Sequence, residues 1–317
     1  MSAENLSETR ISVEVRAFAP GNLPLIEQVK IVDMEEQLKN VVVDYNFDTF
    51  SFLFELLQKA EEDGLPLSAV FETFEIDTVN LAEKYQGTNC TGLSMLLQRN
   101  LREQKLETTL VPAYGNYLIT EAADEYAEVR TVDLVGLMQR DLKSQETIFL
   151  APGLTIDKPI FVREGFQVES YGNQYIITRS GEESFEVASV KPDGDIVRRD
   201  FFYQEVTNPN QSLQKNLIRA RTRYQMTRQH KDGRRDFVTF DFPRRIFRVS
   251  VEGKTLDFDI ENFKSYVLGN SEILGQVFRN PHFMEGFSAF ADNVDSIKNE
   301  LLLPEIQHIL SEIWKSS

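Results

Sequence analysis

The chain has 317 residues and a formal charge of -16, with 50 acidic residues against 34 Lys and Arg. Its 41% hydrophobic and 11% aromatic content excludes a globally disordered chain and predicts one large domain or two to three small ones. The acidity lies in the first half, because residues 1–150 hold 26 acids and 12 bases, whereas residues 151–317 hold 24 and 22. An acidic surface repels phosphate backbones and anionic lipids, so neither nucleic acid nor a membrane is expected as a partner.

The compartment is predicted from the single cysteine, Cys90, and from the first residues. One cysteine cannot form a disulfide within the chain. No apolar run approaches the roughly 18 residues of a transmembrane helix, and the start MSAENLSETR lacks the basic and apolar regions of a signal peptide. We therefore expect a cytoplasmic protein.

The first predicted segment, residues 1–105, is mainly helical and carries Cys90. It opens with strand-like alternation over residues 11–18, closed by a Pro-Gly pair. Capping residues and apolar periodicity then predict four helices, which cover residues 49–63, 67–74, 79–85 and 91–105, with Asp48 and Asp77 as caps of the first and third.

The remaining chain is predicted as two further segments. Residues 106–207 form an antiparallel sheet or barrel, with strands at 106–113, 126–135, 147–150, 159–162, 174–179 and 184–190. Residues 208–317 form hairpins and helices, with strands at 217–228, 236–241 and 245–251 and helices at 260–268, 271–278 and 293–314. The fold class is α+β. The apolar stripe of the last helix indicates core packing, with a homo- or hetero-oligomer interface as the alternative.

Cys90 stands between a glycine-containing loop and an amphipathic helix. A thiol at a helix N-terminus ionises more readily, and the free backbone N–H groups there can hold an oxyanion during attack on a thioester or amide. The alternative is that a lone cysteine is a small buried hydrophobic residue. Both interpretations stay open at this point.

The order of elements resembles that of the arylamine N-acetyltransferases, which lie within the papain-like and transglutaminase-like cysteine superfamily. Their Arg-Gly-Gly-x-Cys loop is matched by Gln86-Gly87-Thr88-Asn89-Cys90, which keeps one glycine and the cysteine. The resemblance implies a papain-like α+β fold and a Cys-His-Asp triad, with the histidine supplied by residues 128–135 and the aspartate by residues 148–153.

The resemblance fails at two of the three triad positions. Thr131 stands where the histidine is expected, and Ala151 stands where the aspartate is expected. A threonine cannot accept the thiol proton near neutral pH, and an alanine cannot orient an imidazole. Asp133 shares the predicted strand face of Thr131, but its charge would oppose thiolate formation. These small uncharged residues predict an open apolar pocket beside Cys90.

One of the three histidines of the chain could act as the base only if the fold brought it close to Cys90. His230, His282 and His308 all lie at least 140 residues beyond Cys90. A surface or core histidine is the ordinary interpretation of each. No metal-binding pattern accompanies them, so no metal is expected.

The segment from Lys215 to Arg248 is strongly basic, with eleven Lys and Arg against three acids. On a strand, Arg219, Arg221 and Arg223 would share one face and form a line of guanidinium groups. Together with Arg234 and Arg235 they are predicted to bind the phosphates of an acyl-CoA or carrier-protein thioester. The alternative is that this basic surface docks on the acidic first half of the chain.

Two functions follow. The first is a cysteine-dependent acyltransferase that forms an amide or ester from an acyl thioester donor, with a small-molecule amine or a carrier protein as substrate and no permanently bound cofactor. A thiolate activated by a helix can attack a reactive thioester with little help from a base. The second is a catalytically degenerate pseudoenzyme that binds a ligand or a protein.

Overall fold

The computed structural model describes residues 15–17, 19–27, 29–75, 77–118, 128–178, 181–192, 194–207, 218–219 and 221–316, and it has the predicted α+β architecture. The helices are α1 (Val29–Asp44), α2 (Ser51–Asp63), α3 (Leu67–Thr73), α4 (Thr78–Tyr85), α5 (Cys90–Glu103), α6 (Ile260–Phe278), α7 (Phe283–Asp292) and α8 (Pro304–Ser316). Across the described residues, every helix is too short or too polar to cross a bilayer.

The strands form three sheets. They are β1 (Val15–Ala17), β2 (Leu25–Ile26), β3 (Asn46–Asp48), β4 (Gly87–Thr88), β5 (Thr109–Leu118), β6 (Glu128–Asp141), β7 (Thr147–Leu150), β8 (Ile160–Phe161), β9 (Gln167–Ser170), β10 (Asn173–Thr178), β11 (Ser184–Val190), β12 (Ile196–Phe202), β13 (Gln204–Val206), β14 (Arg223–Gln229), β15 (Arg235–Asp241), β16 (Ile246–Val251) and β17 (Lys254–Phe258). The largest sheet has the order β8-β7-β6-β5-β12-β11-β10-β9, with β2 paired to β6. The second has the order β17-β16-β15-β14-β3-β4, and β1 pairs with β13.

Asp77 is the N-cap of α4 as predicted, whereas the N-cap of α2 is Phe50 and Asp48 binds backbone amides just before it. Asp48 accepts hydrogen bonds from the amides of Phe50 (2.7 Å) and Ser51 (3.2 Å) at the start of α2. Asp77 accepts from the amides of Val79 and Asn80, both at 3.1 Å, at the start of α4. These carboxylates satisfy N–H groups that have no partner within a helix, which fixes where each helix begins.

The first and last predicted segments share one hydrophobic core. Strands β3 and β4, which the sequence analysis did not predict, extend the C-terminal sheet because β3 pairs with β14. The rings of Phe50 and Phe54 lie 5.0 Å from Phe290 and 5.1 Å from Phe287, respectively, so α2 packs directly on α7. Residues 46–88 are therefore joined to the described part of the C-terminal segment by packing and by a common sheet, whereas α1 and α5 pack with the large sheet.

Helix α5 packs against the large sheet and positions Cys90. Its leucines lie in a buried cluster with residues from one face of the sheet, among them Leu137 and Leu150. Cys90, at the first position of α5, belongs to the cluster formed by the opposite face, which includes Met138 and Phe149. Since strand residues alternate between faces, these two clusters define the two sides of β6 and β7.

Candidate active site

Asn89 and Gly92 fix the first turn of α5. The Asn89 side chain accepts a hydrogen bond from the Gly92 amide at 3.1 Å, as an N-cap does. A Cβ on Gly92 would lie 2.2 Å from Oγ1 of Thr88, so only glycine allows β4 to pack this closely on the helix. Cys90 follows Asn89 directly and has no exposed surface.

The glycine kept from the family loop has a packing role. A Cβ on Gly87 would lie 3.0 Å from the Cβ atoms of both Asn46 and Asp48. Gly87 pairs with Asn46 in the parallel β3–β4 ladder, and the close approach leaves little room for a side chain. The close approach of β3 and β4 is therefore enough to explain why a glycine stands at this position.

Cys90 belongs to a buried hydrophobic cluster. Its cluster contains Leu23, Val111, Met138 and Phe149. Ala151 lies in the same cluster and is 3% exposed. The structure thus places Ala151 and Cys90 in one buried group, and it provides no carboxylate at Ala151.

Extending the β6–β7 register by one residue places Gly136 opposite Ala151. In the β6–β7 ladder Leu137 pairs with Leu150, and one further step along both strands brings Gly136 opposite Ala151. Thr131 pairs with Gly115 farther along β6, and the side chains of Thr131 and Asp133 lie outside the described part of the structure. The residue that faces Ala151 across the hairpin therefore has no side chain with which to act as a base.

The ring of Phe149 fills the space above Gly136. A Cβ on Gly136 would lie 2.0 Å from Cε2 and 2.3 Å from Cζ of Phe149. The ring is fully buried, and its centroid lies 4.5 Å from Phe201 and 5.2 Å from Phe185. The sequence predicts an open apolar pocket beside Cys90 from Thr131 and Ala151, and above Gly136 the Phe149 ring fills the space.

The three histidines lie in other parts of the fold. His230 forms a 2.7 Å contact with Asp236 at the end of the β14–β15 hairpin, and His282 contacts Glu285 at 3.3 Å. His308 is exposed on α8. Within the described ranges, no group of three or more His, Cys, Asp or Glu could hold a metal ion.

A small cavity lies on the other side of Asn89. Asp48, Thr88, Arg221 and Tyr224 contribute to its lining, and its volume of about 10 Å³ is close to that of a single water. Burial raises the pKa of Asp48 to about 7, against the lowering effect of the Phe50 and Ser51 amides. Oδ2 of Asp48 is buried without a hydrogen-bond partner among the described residues. This cavity is too small for a substrate.

The predicted line of arginines is absent, because β14 begins at Arg223 and not at residue 217. Arg219 lies in a helical turn, where it pairs with Glu72 and stacks 5.1 Å from the Phe71 ring centroid. Arg221 is 8% exposed, whereas Arg223 is exposed and pairs with Asp241 at 2.8 Å. The three side chains therefore do not share one strand face.

Arg234 and Arg235 lie at the tip of the β14–β15 hairpin. Arg234 is exposed, and Nε of Arg235 donates to Oε1 of the buried Gln229 at 2.7 Å. Of the five predicted arginines, Arg219 pairs with an acid of the first half, Glu72. This contact supports the alternative that the basic segment docks on the acidic first half of the chain.

Comparison with known proteins identifies the fold. No protein-family model matches the sequence, and no curated protein matches it. A Mycobacterium smegmatis arylamine N-acetyltransferase superposes with a TM-score of 0.57 at 13% identity, covering 83% of this chain and 91% of that chain. The Mycobacterium marinum arylamine N-acetyltransferase in complex with CoA gives 0.56 at 13% identity, with 84% and 93% covered.

A third structure comes from Bacillus cereus. Its arylamine N-acetyltransferase, which has a Cys-His-Glu catalytic triad, superposes with a TM-score of 0.51 at 14% identity and covers 75% of this chain and 88% of that chain. The chain therefore has the arylamine N-acetyltransferase fold, as the sequence resemblance implies. At these identities the likeness establishes the fold, and the function has to be argued from the residues around Cys90.

Proposed function

We propose that this chain is a non-catalytic binding protein built on the arylamine N-acetyltransferase fold, in which Cys90 is part of the core. One observation carries the proposal: Cys90 is fully buried in a hydrophobic cluster. In the same cluster the Phe149 ring covers Gly136, and Ala151 offers no carboxylate. A nucleophilic cysteine needs a thiolate and a path for the donor. Apolar burial disfavours the charged thiolate and closes that path.

A second candidate is acyl transfer through Cys90. Its support is the position of Cys90 as the first residue of α5 and the CoA complex of the M. marinum structure. In this reaction the thiolate attacks the carbonyl of an acyl-CoA or carrier-protein thioester, the donor thiol leaves, and an acyl thioester forms on Cys90. An amine then attacks that carbonyl, the amide forms and the Cys90 thiol is regenerated. The reaction requires the buried Cys90 side chain to become accessible to the donor.

Intact mass spectrometry separates the two candidates. We expect no acyl adduct after incubation with acetyl-CoA or a longer acyl-CoA, because the donor carbonyl cannot reach a sealed sulfur. The Cys90→Ala variant serves as the control for acylation elsewhere in the chain. An adduct that appears in the unchanged protein, disappears in the variant and is consumed by added arylamine would establish the acyltransferase and refute the binding-protein proposal.

The proposal also covers the compartment of the protein and the kind of partner it binds. A formal charge of -16 and a single cysteine support a cytoplasmic protein whose partner is a small molecule or a carrier protein. The stripe of α8 faces inward, because Ile306 and Leu310 are fully buried in the C-terminal core. This favours core packing over an oligomer interface for that helix.

A further inference from the structure

The C-terminal sheet has a core face and an open face. Tyr224, Val238 and Phe247 lie on the core face and are fully buried against the helices. Because strand residues alternate, their neighbours along β14, β15 and β16 point to the other face. Polar and charged side chains dominate there, with Arg223 and Arg248 both exposed.

A groove of about 260 Å³ lies on this open face. Three arginines line it, namely Arg223, Arg244 and Arg248, and Phe237 and Ile246 add apolar surface. The strand register brings them together, because Arg223 pairs with Asp241, which in turn pairs with Ile246. The groove thus combines guanidinium groups with a partly exposed apolar surface.

Two of the three arginines are held by carboxylates. Arg223 pairs with Asp241 at 2.8 Å, and Arg248 forms a two-bond contact with Asp257 at 2.7 and 2.8 Å. The side chain of Arg244 forms no ion pair with a described residue, although its amide donates to Asp241 at 3.2 Å. Three arginines against two aspartates leave one net positive charge among the residues that line the groove, and Arg244 is the arginine without a direct ion pair to a described residue.

We propose that this groove binds a small organic anion, with a carboxylate or phosphate on Arg244 and a flat apolar body on Phe237 and Ile246. A guanidinium fork binds planar carboxylate and phosphate oxygens in pairs, and the groove is somewhat smaller than the pockets of drug-sized ligands. A ligand with one aromatic ring and one anionic group suits both its volume and its charge. The inference rests on the proposed binding function and names its ligand class.

Calorimetric titration with benzoate, phenyl phosphate, inorganic phosphate and the neutral analogue benzamide tests the site. We expect benzoate or phenyl phosphate to bind, and benzamide and inorganic phosphate to bind more weakly, because each lacks one of the two required parts. The stronger of the two aryl anions identifies the anionic group. Arg244→Gln should weaken the binding about tenfold, since it removes a charge-assisted hydrogen bond.

Lys231→Gln is the matched control. Lys231 is an exposed cation of the same basic segment, but it lies at the hairpin tip outside the groove, so its loss should leave the affinity unchanged. Equal weakening by both variants, equal binding of benzamide or inorganic phosphate, or no binding of either aryl anion would overturn the proposal. Any of these results would leave the acyl-adduct experiment on Cys90 unaffected, so the two proposals fail separately.

Discussion

Replacing Gly136 by alanine is expected to lower the free energy of unfolding by about 3 kcal/mol or more, as overpacking a rigid core does. The new Cβ would lie 2.0 Å from Cε2 of Phe149, whose ring is fully buried between Phe185 and Phe201. That ring has no free direction in which to move. Urea unfolding followed by circular dichroism measures the effect.

Two further variants make this result specific. A Cβ on Gly269, inside α6, meets no atom within 4 Å, so Gly269→Ala should be neutral or stabilise the helix by up to about 1 kcal/mol. Phe149→Leu should recover part of the loss when combined with Gly136→Ala, because contacting residues are not additive. A Gly136→Ala protein as stable as the unchanged chain would show that Phe149 does not occupy this space.

Asp48→Asn is expected to make the protein more stable at alkaline pH and to flatten its pH dependence. Burial raises the pKa of Asp48 to about 7 in the folded protein, from 3.8 in the unfolded chain. Between these values the folded state binds more protons, so stability falls as pH rises through the interval, by at most about 4 kcal/mol. Asparagine keeps an oxygen that can accept from the Phe50 and Ser51 amides, and it has no charge to bury.

The measurement is the free energy of unfolding of both proteins from about pH 4 to about pH 8, the interval set by the two pKa values. Asp77→Asn is the matched control, because Asp77 also caps a helix but is exposed. It should leave the slope unchanged. A wild-type slope that persists in Asp48→Asn would show that another group controls the pH dependence.

Local signals in the sequence predicted helices α2 to α5 and most of α6 and α8, but they missed α1 and α7 and predicted the site only in part. Asp48 and Asp77 mark helix starts, since capping is a property of a few adjacent residues. The facing residue of Ala151 was missed because β6 extends to Asp141 instead of ending at residue 135. Gly136 lies one residue beyond the predicted strand, and its position opposite Ala151 follows from strand register, which depends on contacts between strands.

The groove on the open face of the C-terminal sheet could not be predicted from the sequence either. Arg244 and Arg248 were counted in the basic segment, but they were not selected as binding residues. Arg248 acquires its role from Asp257 on β17, a strand that the sequence analysis did not predict. Four strands must be aligned before these side chains meet. The spacing of the arginines along the sequence therefore could not predict the groove, because the groove depends on which strands pair.

Alkylation of the single thiol tests the central claim, that Cys90 is sealed in the core. The rate of reaction with iodoacetamide is measured by intact mass in buffer and in denaturant at one pH. We predict that the native rate is slower by a factor on the order of 1000 or more, because reaction then requires the core to open. A native rate equal to or above that of the unfolded chain would show an accessible, activated thiolate and would contradict the account.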